Sequence, residues 1–221
     1  MSAGCDLVLF DLDGTLVDSA PDLAGAANDL RLDHGLEPLP YELLRPVASA
    51  GARGLIGAAF GLAPGDEGFL PLRDAFLDRY AERLLQQTRI FDRVGSMLDD
   101  LDASGRRWGI VTNKAMRFTA PIVAGLGLTE RAAAVVAGDT TPYIKPHPAP
   151  LLHAAQAAGV DPARCAYVGD DLRDIQAGRA AGMATLVAAW GYLGQGEPIE
   201  AWGADLVLNE PIALLNWLGT A

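Results

Sequence analysis

The chain has 221 residues, of which 50% are hydrophobic and 20% are charged, and this balance excludes a disordered or fibrous protein. Its formal net charge of −11 predicts an acidic surface that repels nucleic acid and anionic lipid, so we expect neither as a partner. No apolar run of the sequence approaches the ~20 residues that a membrane-spanning helix needs. No basic segment precedes the first apolar run, so we predict no signal peptide and expect a cytoplasmic protein.

Short apolar runs alternate with helical patterns along most of the chain. The runs that we predict as strands are Leu7–Phe10, Trp108–Val111, Ala134–Ala137, Ala166–Val168, Thr185–Ala188 and Leu206–Leu208. The segments that we predict as helices are Gly95–Ala103, Phe118–Leu126, Pro150–Ala158 and Ile175–Ala181. Strands that are apolar throughout and separated by helices indicate a parallel sheet covered on both faces. The predicted fold class is therefore α/β, with a Rossmann-like parallel sheet as its core.

One block, from about residue 20 to about residue 87, breaks this alternation because it contains helical patterns and no strand candidate. Ser19-Ala20-Pro21-Asp22 predicts its start, as a capping box with proline in the first helical turn. A helical block inserted after the first strand can cover the carboxyl edge of the sheet, where open α/β sheets bind ligands. We therefore predict a core of residues 1–17 and 88–221 and a helical cap domain of residues 18–87.

Two acidic residues directly follow the first predicted strand, in the sequence Asp11-Leu12-Asp13-Gly14. Residues two apart on an extended chain point the same way, so Asp11 and Asp13 can face one site. Their negative charges repel unless a hard cation offsets them or one carboxyl stays protonated. Either arrangement suits phosphoryl transfer, in which one carboxylate attacks and the other handles protons. An acidic turn without a chemical role is the alternative for this motif alone.

Three further motifs follow other predicted strands. Val111-Thr112-Asn113-Lys114 offers a hydroxyl and an amide that can hydrogen-bond phosphate oxygens. Lys145-Pro146-His147-Pro148 offers an ammonium on a stiff segment, and Val168-Gly169-Asp170-Asp171 with Asp174 adds carboxylates suited to magnesium. Each motif alone could be a helix cap or a solvated lysine. Four motifs in this order, each at a carboxyl end of the strands, indicate one site for a phosphorylated ligand.

These motifs resemble those of the haloacid dehalogenase-like hydrolase superfamily, and within it those of the phosphoglycolate phosphatase-like group. The resemblance covers essentially the whole chain, and Val8–Ser19 matches the first motif of the group closely. The stretches Trp108–Lys114, Gly169–Ile175 and Trp202–Asp205 look most like the N-acetylmuramic acid 6-phosphate phosphatases of this group. Arg173 departs from the pattern, since many relatives have asparagine there, and the change could alter only the surroundings of a metal site.

The resemblance implies a phosphatase that hydrolyses a small phosphomonoester with Mg²⁺ as cofactor. It implies that Asp11 attacks phosphorus and becomes an aspartyl phosphate, while Asp13 protonates the leaving alkoxide and then deprotonates water. By the same resemblance the metal would be held by a carboxylate oxygen of Asp11, the backbone carbonyl of Asp13, and Asp170. Asp171 and Asp174 would support these ligands from behind. Such a charged site agrees with the physics of phosphoryl transfer, which depends above all on placement and charge stabilisation.

The resemblance also implies that Thr112, Asn113 and Lys145 bind the phosphoryl oxygens, and that the cap selects the substrate. Within the cap, we predict that Arg53 pairs with a substrate carboxylate by a two-point contact. A solvated arginine on a helix surface is the alternative. 2-Phosphoglycolate and N-acetylmuramic acid 6-phosphate each carry a carboxylate and a phosphate, so the sequence leaves the substrate open between them.

Two other functions share part of this motif set. A sugar-phosphate mutase of the same fold would keep the core motifs, but it must shield its aspartyl phosphate from water, and no cap feature demands that. A non-catalytic phospho-acceptor signalling protein would also use an aspartate, acidic neighbours, a threonine and a lysine. It would be much shorter, without a helical insertion, and would lack the acid/base at Asp13. The sequence sets no oligomeric state.

Overall fold

The strands of the main sheet stand where the apolar runs predict them. The computed structural model describes residues 4–219. In chain order the strands are β1 (Leu7–Phe10), β2 (Val17–Asp18), β3 (Arg89–Ile90), β4 (Arg107–Val111), β5 (Val135–Val136), β6 (Cys165–Gly169), β7 (Ala184–Ala188) and β8 (Leu206–Leu208). Six of them form a sheet in the order β5-β4-β1-β6-β7-β8, with every neighbouring pair parallel.

Helices cover this sheet and form an insertion between β2 and β3. They are α1 (Ala20–Asp33), α2 (Tyr41–Leu44), α3 (Gly51–Phe60), α4 (Phe69–Arg83), α5 (Val94–Ala103), α6 (Met116–Gly125), α7 (Ala149–Ala157), α8 (Leu172–Ala180) and α9 (Ile212–Leu218). The predicted α/β class, a Rossmann-like parallel sheet with an inserted helical cap, is confirmed. Among the helices of residues 4–219, none has the length and apolar character that crossing a membrane requires.

The inserted helices α1 to α4 have a hydrophobic cluster of their own. Leu55, Ile56 and Phe76 are fully buried in it, and Phe118 and Tyr192 from outside the insertion pack against them. We propose residues 18–87 as the cap domain, with the remainder as the core. Residues 1–3 and 220–221, which this division assigns to the core, lie outside the described residues.

The short antiparallel pair β2–β3 joins the two chain segments at the base of the cap. Val17 lies opposite Ile90, and Asp18 lies opposite Arg89. The sequence analysis does not predict this pair, because strands of two residues are too short to show a period.

Helix α1 begins near the predicted position, but the predicted capping box is wrong. The Ser19 hydroxyl donates to Asp13 Oδ1, and it makes no cap hydrogen bond. The Tyr192 hydroxyl takes that place, because it accepts from the backbone N–H groups of Ser19 and Ala20 at 2.8 and 2.9 Å. A tyrosine distant in sequence therefore satisfies donors at the start of the helix.

Both faces of β1 are buried, which makes this strand the centre of the fold. Val8 and Phe10 belong to the hydrophobic cluster on one face of the sheet, and Leu7 and Leu9 belong to the cluster on the other. The register sets Phe10 opposite both Ile110 of β4 and Val168 of β6. The residues that follow these three strands therefore emerge together at one edge of the sheet.

We expect Leu9→Ala to lower the free energy of unfolding by about 2–5 kcal/mol, the range for truncating a fully buried leucine. Leu152→Ala on α7 is a matched control, since Leu152 is 39% exposed, and its effect should stay within about 0.5 kcal/mol. Urea denaturation of both variants measures the difference. Similar losses in the two variants would contradict the central position of β1.

Candidate active site

The loop after β1 brings two carboxylates to the carboxyl edge of the sheet. The side chains of Asp11 and Asp13 are 13% and 14% exposed, and both line a cavity of about 570 Å³ between cap and core. The Asp11 N–H donates to the Val168 carbonyl at 2.9 Å, which fixes the chain as it leaves the sheet. Gly14 has a φ of +85°, a value that glycine adopts without strain and that lets the chain turn sharply here.

A buried lysine lies against the first of these carboxylates. Lys145 Nζ lies 2.8 Å from Asp11 Oδ1 and 2.8 Å from Asp174 Oδ1, and the side chain is 3% exposed. It also donates to the Tyr167 hydroxyl at 2.8 Å and to the Val111 carbonyl at 3.2 Å. Burial alone would lower the pKa of Lys145, but the two carboxylates outweigh it and raise that pKa. Lys145 therefore carries its charge into the base of the cavity.

Asn113 positions the segment that carries this lysine. Its Nδ2 donates to the Lys145 carbonyl at 3.0 Å, and its Oδ1 accepts from the Lys145 N–H at 2.9 Å. One hydrogen of the Asn113 amide is left for another acceptor. The Thr112 hydroxyl accepts from the Lys114 N–H at 3.1 Å, so its own proton can go to a ligand. The structure thus places all three predicted phosphate-binding residues, Thr112, Asn113 and Lys145, in the cavity wall.

Three carboxylates converge beneath the cavity. Asp11, Asp170 and Asp174 each offer an oxygen, and these oxygens lie within 4.8 Å of one another. Asp170 and Asp174 are buried. Burial raises the pKa of Asp11 to about 7, against the opposing charge of Lys145 and with the help of Asp174. Burial, together with the charges of Asp11 and Asp174, also raises the pKa of Asp170 well above its ordinary value. Burial and the repulsion between these carboxylates therefore both oppose their ionisation.

The donor atoms of this cluster fit a hard divalent cation. In the part of the chain that the structure describes, Asp11 Oδ1 is buried and accepts no hydrogen bond, although Lys145 lies beside it. A Cβ atom at Gly14 or at Gly191 would collide with Asp170, so these two glycines allow the Asp170 side chain to pack closely against the backbone. Carboxylate oxygens are the ligands that Mg²⁺ and Ca²⁺ prefer. The cluster could thus hold a divalent metal ion.

Asp171 and Asp174 also cap helix α8, as the alternative interpretation of their motif predicts. Asp171 accepts from the Arg173 N–H at 2.9 Å, and Asp174 Oδ2 accepts from the Asp171 N–H at 3.0 Å. The Asp171 carboxylate also accepts hydrogen bonds from Nε and Nη2 of Arg173, at 2.7 and 2.8 Å. Asp171 is therefore turned toward Arg173, whereas Asp174 joins the cluster with Asp11.

Asp13 has cationic and hydroxyl partners that the sequence analysis does not predict. Lys114 Nζ lies 3.1 Å from Asp13 Oδ1 and donates to the Tyr80 hydroxyl of cap helix α4 at 2.8 Å. Burial alone would lower the pKa of Lys114, but Asp13 and Tyr80 raise it above its ordinary value. Ser19 donates to the same oxygen of Asp13. The position of Lys114, next to Asn113 beyond a strand end, is the signal that could have identified it.

Arg53 reaches the cavity from the cap. It is exposed on α3 and lines the same cavity as Asp11 and Asp13. Within residues 4–219 its side chain takes part in no hydrogen bond and no ion pair. The structure therefore leaves its guanidinium available to a ligand, and its pairing with a substrate carboxylate remains a prediction.

Known proteins are similar to this chain in sequence and in fold. Residues 5–182 match the family model described as haloacid dehalogenase-like hydrolase. An N-acetylmuramic acid 6-phosphate phosphatase of Pseudomonas aeruginosa is 42% identical over 97% of this chain and 95% of its own. A phosphoglycolate phosphatase of Xylella fastidiosa is 46% identical over 92% of this chain and 89% of its own.

A solved structure agrees with these relatives. The crystal structure of a predicted phosphoglycolate phosphatase from Haemophilus somnus superimposes with a TM-score of 0.85 at 30% identity, covering 97% of this chain and 98% of that one. The chain belongs to the haloacid dehalogenase-like hydrolase family. The prediction of a phosphatase in the phosphoglycolate phosphatase-like group is confirmed, in preference to the mutase and signalling alternatives.

We expect Gly14→Ala to lower phosphatase activity on the order of 100-fold, since the added Cβ would displace the Asp170 carboxylate. Gly105→Ala is a matched control, because Gly105 has a φ of +68° and open space around its Cα. Both variants should lose about 1 kcal/mol of stability through strained φ. Turnover and urea denaturation measure the two effects. Wild-type activity in Gly14→Ala, or an equal loss of activity in Gly105→Ala, would contradict this account of Gly14.

Proposed function

We propose that the protein is a magnesium-dependent phosphatase of a small phosphorylated metabolite that bears a carboxylate, acting in the cytoplasm. The observation that carries this proposal is the pairing at the base of the cavity: Asp11 lies against Lys145, and Asp13 lies against Lys114. Two carboxylates in one cavity, each beside its own buried cation, suit a nucleophile and a proton carrier. The free thiol of Cys165 agrees with a reducing compartment.

In the first step, a carboxylate oxygen of Asp11 attacks phosphorus. An Asp11 oxygen–phosphorus bond forms as the bond from phosphorus to the leaving oxygen breaks, and Asp13 gives its proton to that oxygen. The leaving group departs as an alcohol, and Asp11 is left as an aspartyl phosphate. The ion pair with Lys145 orients Asp11 for this attack, and the contact with Lys114 orients Asp13.

In the second step, water breaks the aspartyl phosphate. Asp13 takes a proton from the water as its oxygen attacks phosphorus, which regenerates the Asp11 carboxylate and releases inorganic phosphate. Throughout both steps the Thr112 hydroxyl, the Asn113 amide and the Lys145 ammonium hold the phosphoryl oxygens. Donors placed before the reaction stabilise the developing charge without having to reorganise.

Magnesium would be held by Asp11, by the backbone carbonyl of Asp13 and by Asp170, and when bound it would neutralise charge on the phosphoryl oxygens. Asp174 would support these ligands, in keeping with its oxygens' contacts to Lys145 and to the Asp171 N–H. Asp171 would act indirectly, as the residue that caps the N-terminus of helix α8.

The first candidate substrate is N-acetylmuramic acid 6-phosphate. A cavity of about 570 Å³ lies within the ~300–1,000 Å³ range of pockets for drug-sized ligands, which leaves room for a sugar. The Pseudomonas aeruginosa relative, named for this activity, is similar along nearly its whole length. The second candidate is 2-phosphoglycolate, and its support is the name of the Xylella fastidiosa relative, a phosphoglycolate phosphatase. Both substrates carry the carboxylate that we propose Arg53 contacts.

Asp11→Asn should abolish turnover, because a neutral amide is a poor nucleophile, while the unfolding transition should remain cooperative. Fluoroberyllate, which mimics an aspartyl phosphate, should bind Asp11 of the wild type, as mass spectrometry or crystallography would show. Asp99→Asn removes an equal charge from a carboxylate that is 71% exposed, and it should retain activity. Appreciable turnover by an Asp11→Asn preparation free of deamidated protein would refute Asp11 as the nucleophile.

Chelation with EDTA should remove phosphatase activity, and added Mg²⁺ should restore it, since the donor set consists of oxygens. Phosphate release from an aryl phosphate measures both effects. Restoration by Zn²⁺ with no response to Mg²⁺ would contradict the assignment of the metal.

A further inference from the structure

The cavity wall holds two arginines without a carboxylate partner. The cationic residues that line it are Arg53, Lys114, Arg117, Lys145 and Arg173. Three of these are neutralised locally, since Lys114, Lys145 and Arg173 each lie within 3.1 Å of an aspartate oxygen. Across residues 4–219, neither Arg53 nor Arg117 takes part in an ion pair. Among the cationic residues that line the cavity, these two guanidinium groups are the ones that no carboxylate of the described residues engages.

The two arginines come from opposite parts of the molecule. Arg53 is on α3 of the cap, and Arg117 is on α6 of the core, one turn beyond the strand-end motif that contains Thr112. Both are exposed, whereas Asp11 lies at the buried end of the same cavity. A ligand whose phosphoryl group reaches Asp11 would therefore meet the arginines with its other end.

The environment of Arg117 holds its guanidinium in place without using its hydrogen-bond donors. The Cζ atom lies 4.5 Å from the centroid of the Phe118 ring, and Phe118 is buried beneath it. A guanidinium stacked on an aromatic face keeps the N–H groups at its edge free for a carboxylate. The stacking therefore leaves a donor group oriented at the side of the cavity.

From these observations we infer that Arg117 is a specificity-determining residue, which binds the substrate's carboxylate together with Arg53. The inference rests on the proposed function, because it assumes that the phosphoryl group is bound at Asp11. Two guanidinium groups can share one carboxylate, since each of its oxygens accepts more than one hydrogen bond. The chain's net charge of −11 repels anionic substrates at long range, which makes a local pair of cations more important for their capture.

The test compares esters that differ in the carboxylate. N-acetylmuramic acid 6-phosphate is paired with N-acetylglucosamine 6-phosphate, which lacks the lactyl carboxylate, and 2-phosphoglycolate is paired with 2-hydroxyethyl phosphate. Steady-state kinetics are measured for wild type, Arg117→Gln, Arg53→Gln and the double variant. Arg93→Gln is the control, since Arg93 is 71% exposed, pairs with Glu210 and lies outside the cavity lining, yet its loss changes the net charge equally.

We expect Arg117→Gln to lower kcat/KM for the better carboxylate-bearing substrate by about 10- to 100-fold, mainly through KM, the scale of a lost charge-assisted hydrogen bond. The fall in kcat/KM on the matching ester without the carboxylate should be much smaller. The double variant should lose less than the product of the two single losses, because both side chains contact one group. Arg93→Gln should leave both substrates unaffected.

Equal losses by Arg117→Gln on both esters of a pair would overturn the inference, since they would indicate damage to the cavity. No loss on either ester would also overturn it and would leave Arg117 as a solvated residue. A wild type that shows no preference for either carboxylate-bearing ester would overturn it as well. Failure of the proposed function is separate, because in that case the wild type would release no phosphate from any of these esters or from an aryl phosphate.

Discussion

The ammonium of Lys145, buried between the carboxylates of Asp11 and Asp174, is the interaction on which the rest of the site depends. Burying charges is costly unless they are paired, and three carboxylates meet here. One lysine leaves three ionised carboxylates with a deficit of positive charge, and burial, with repulsion between the carboxylates added to it, raises the pKa values of Asp11 and Asp170. A metal cation and the hydrogen-bond donors around it would correct that deficit, which suits the cluster to phosphoryl chemistry.

The cap is connected to the same site by hydrogen bonds between residues distant in sequence. Ser49 of the cap donates from Oγ to Asp170 Oδ2 at 3.2 Å, and its carbonyl accepts from Arg173 Nη2 at 2.8 Å. Tyr80 accepts from Lys114, the partner of Asp13. Arg173 is thus one of the residues that join cap to core. The position of the cap and the positions of Asp170 and Lys114 therefore depend on the same hydrogen bonds.

The sequence was sufficient to predict what depends on local pattern. Continuous apolar runs predicted the strands, and the rule that parallel strands end at one edge brought Asp11 and Asp170 together. Contacts between distant segments were beyond such reasoning. Ser19 has the right type and spacing for a helix cap, yet its hydroxyl donates to Asp13. The Tyr192 hydroxyl instead accepts from the backbone N–H at the start of the helix. The partners of these side chains are set by tertiary packing, which no short window of sequence contains.

The central claim is that phosphate passes through a covalent bond to Asp11, and the stereochemical course at phosphorus tests it most directly. Each in-line displacement inverts the configuration, so attack by Asp11 followed by attack by water gives overall retention. For a phosphate monoester made chiral with three oxygen isotopes, transfer of the phosphoryl group to an acceptor alcohol in place of water reports the outcome. The account predicts retention. Inversion would show that water attacks the substrate directly, and it would contradict the role given to Asp11.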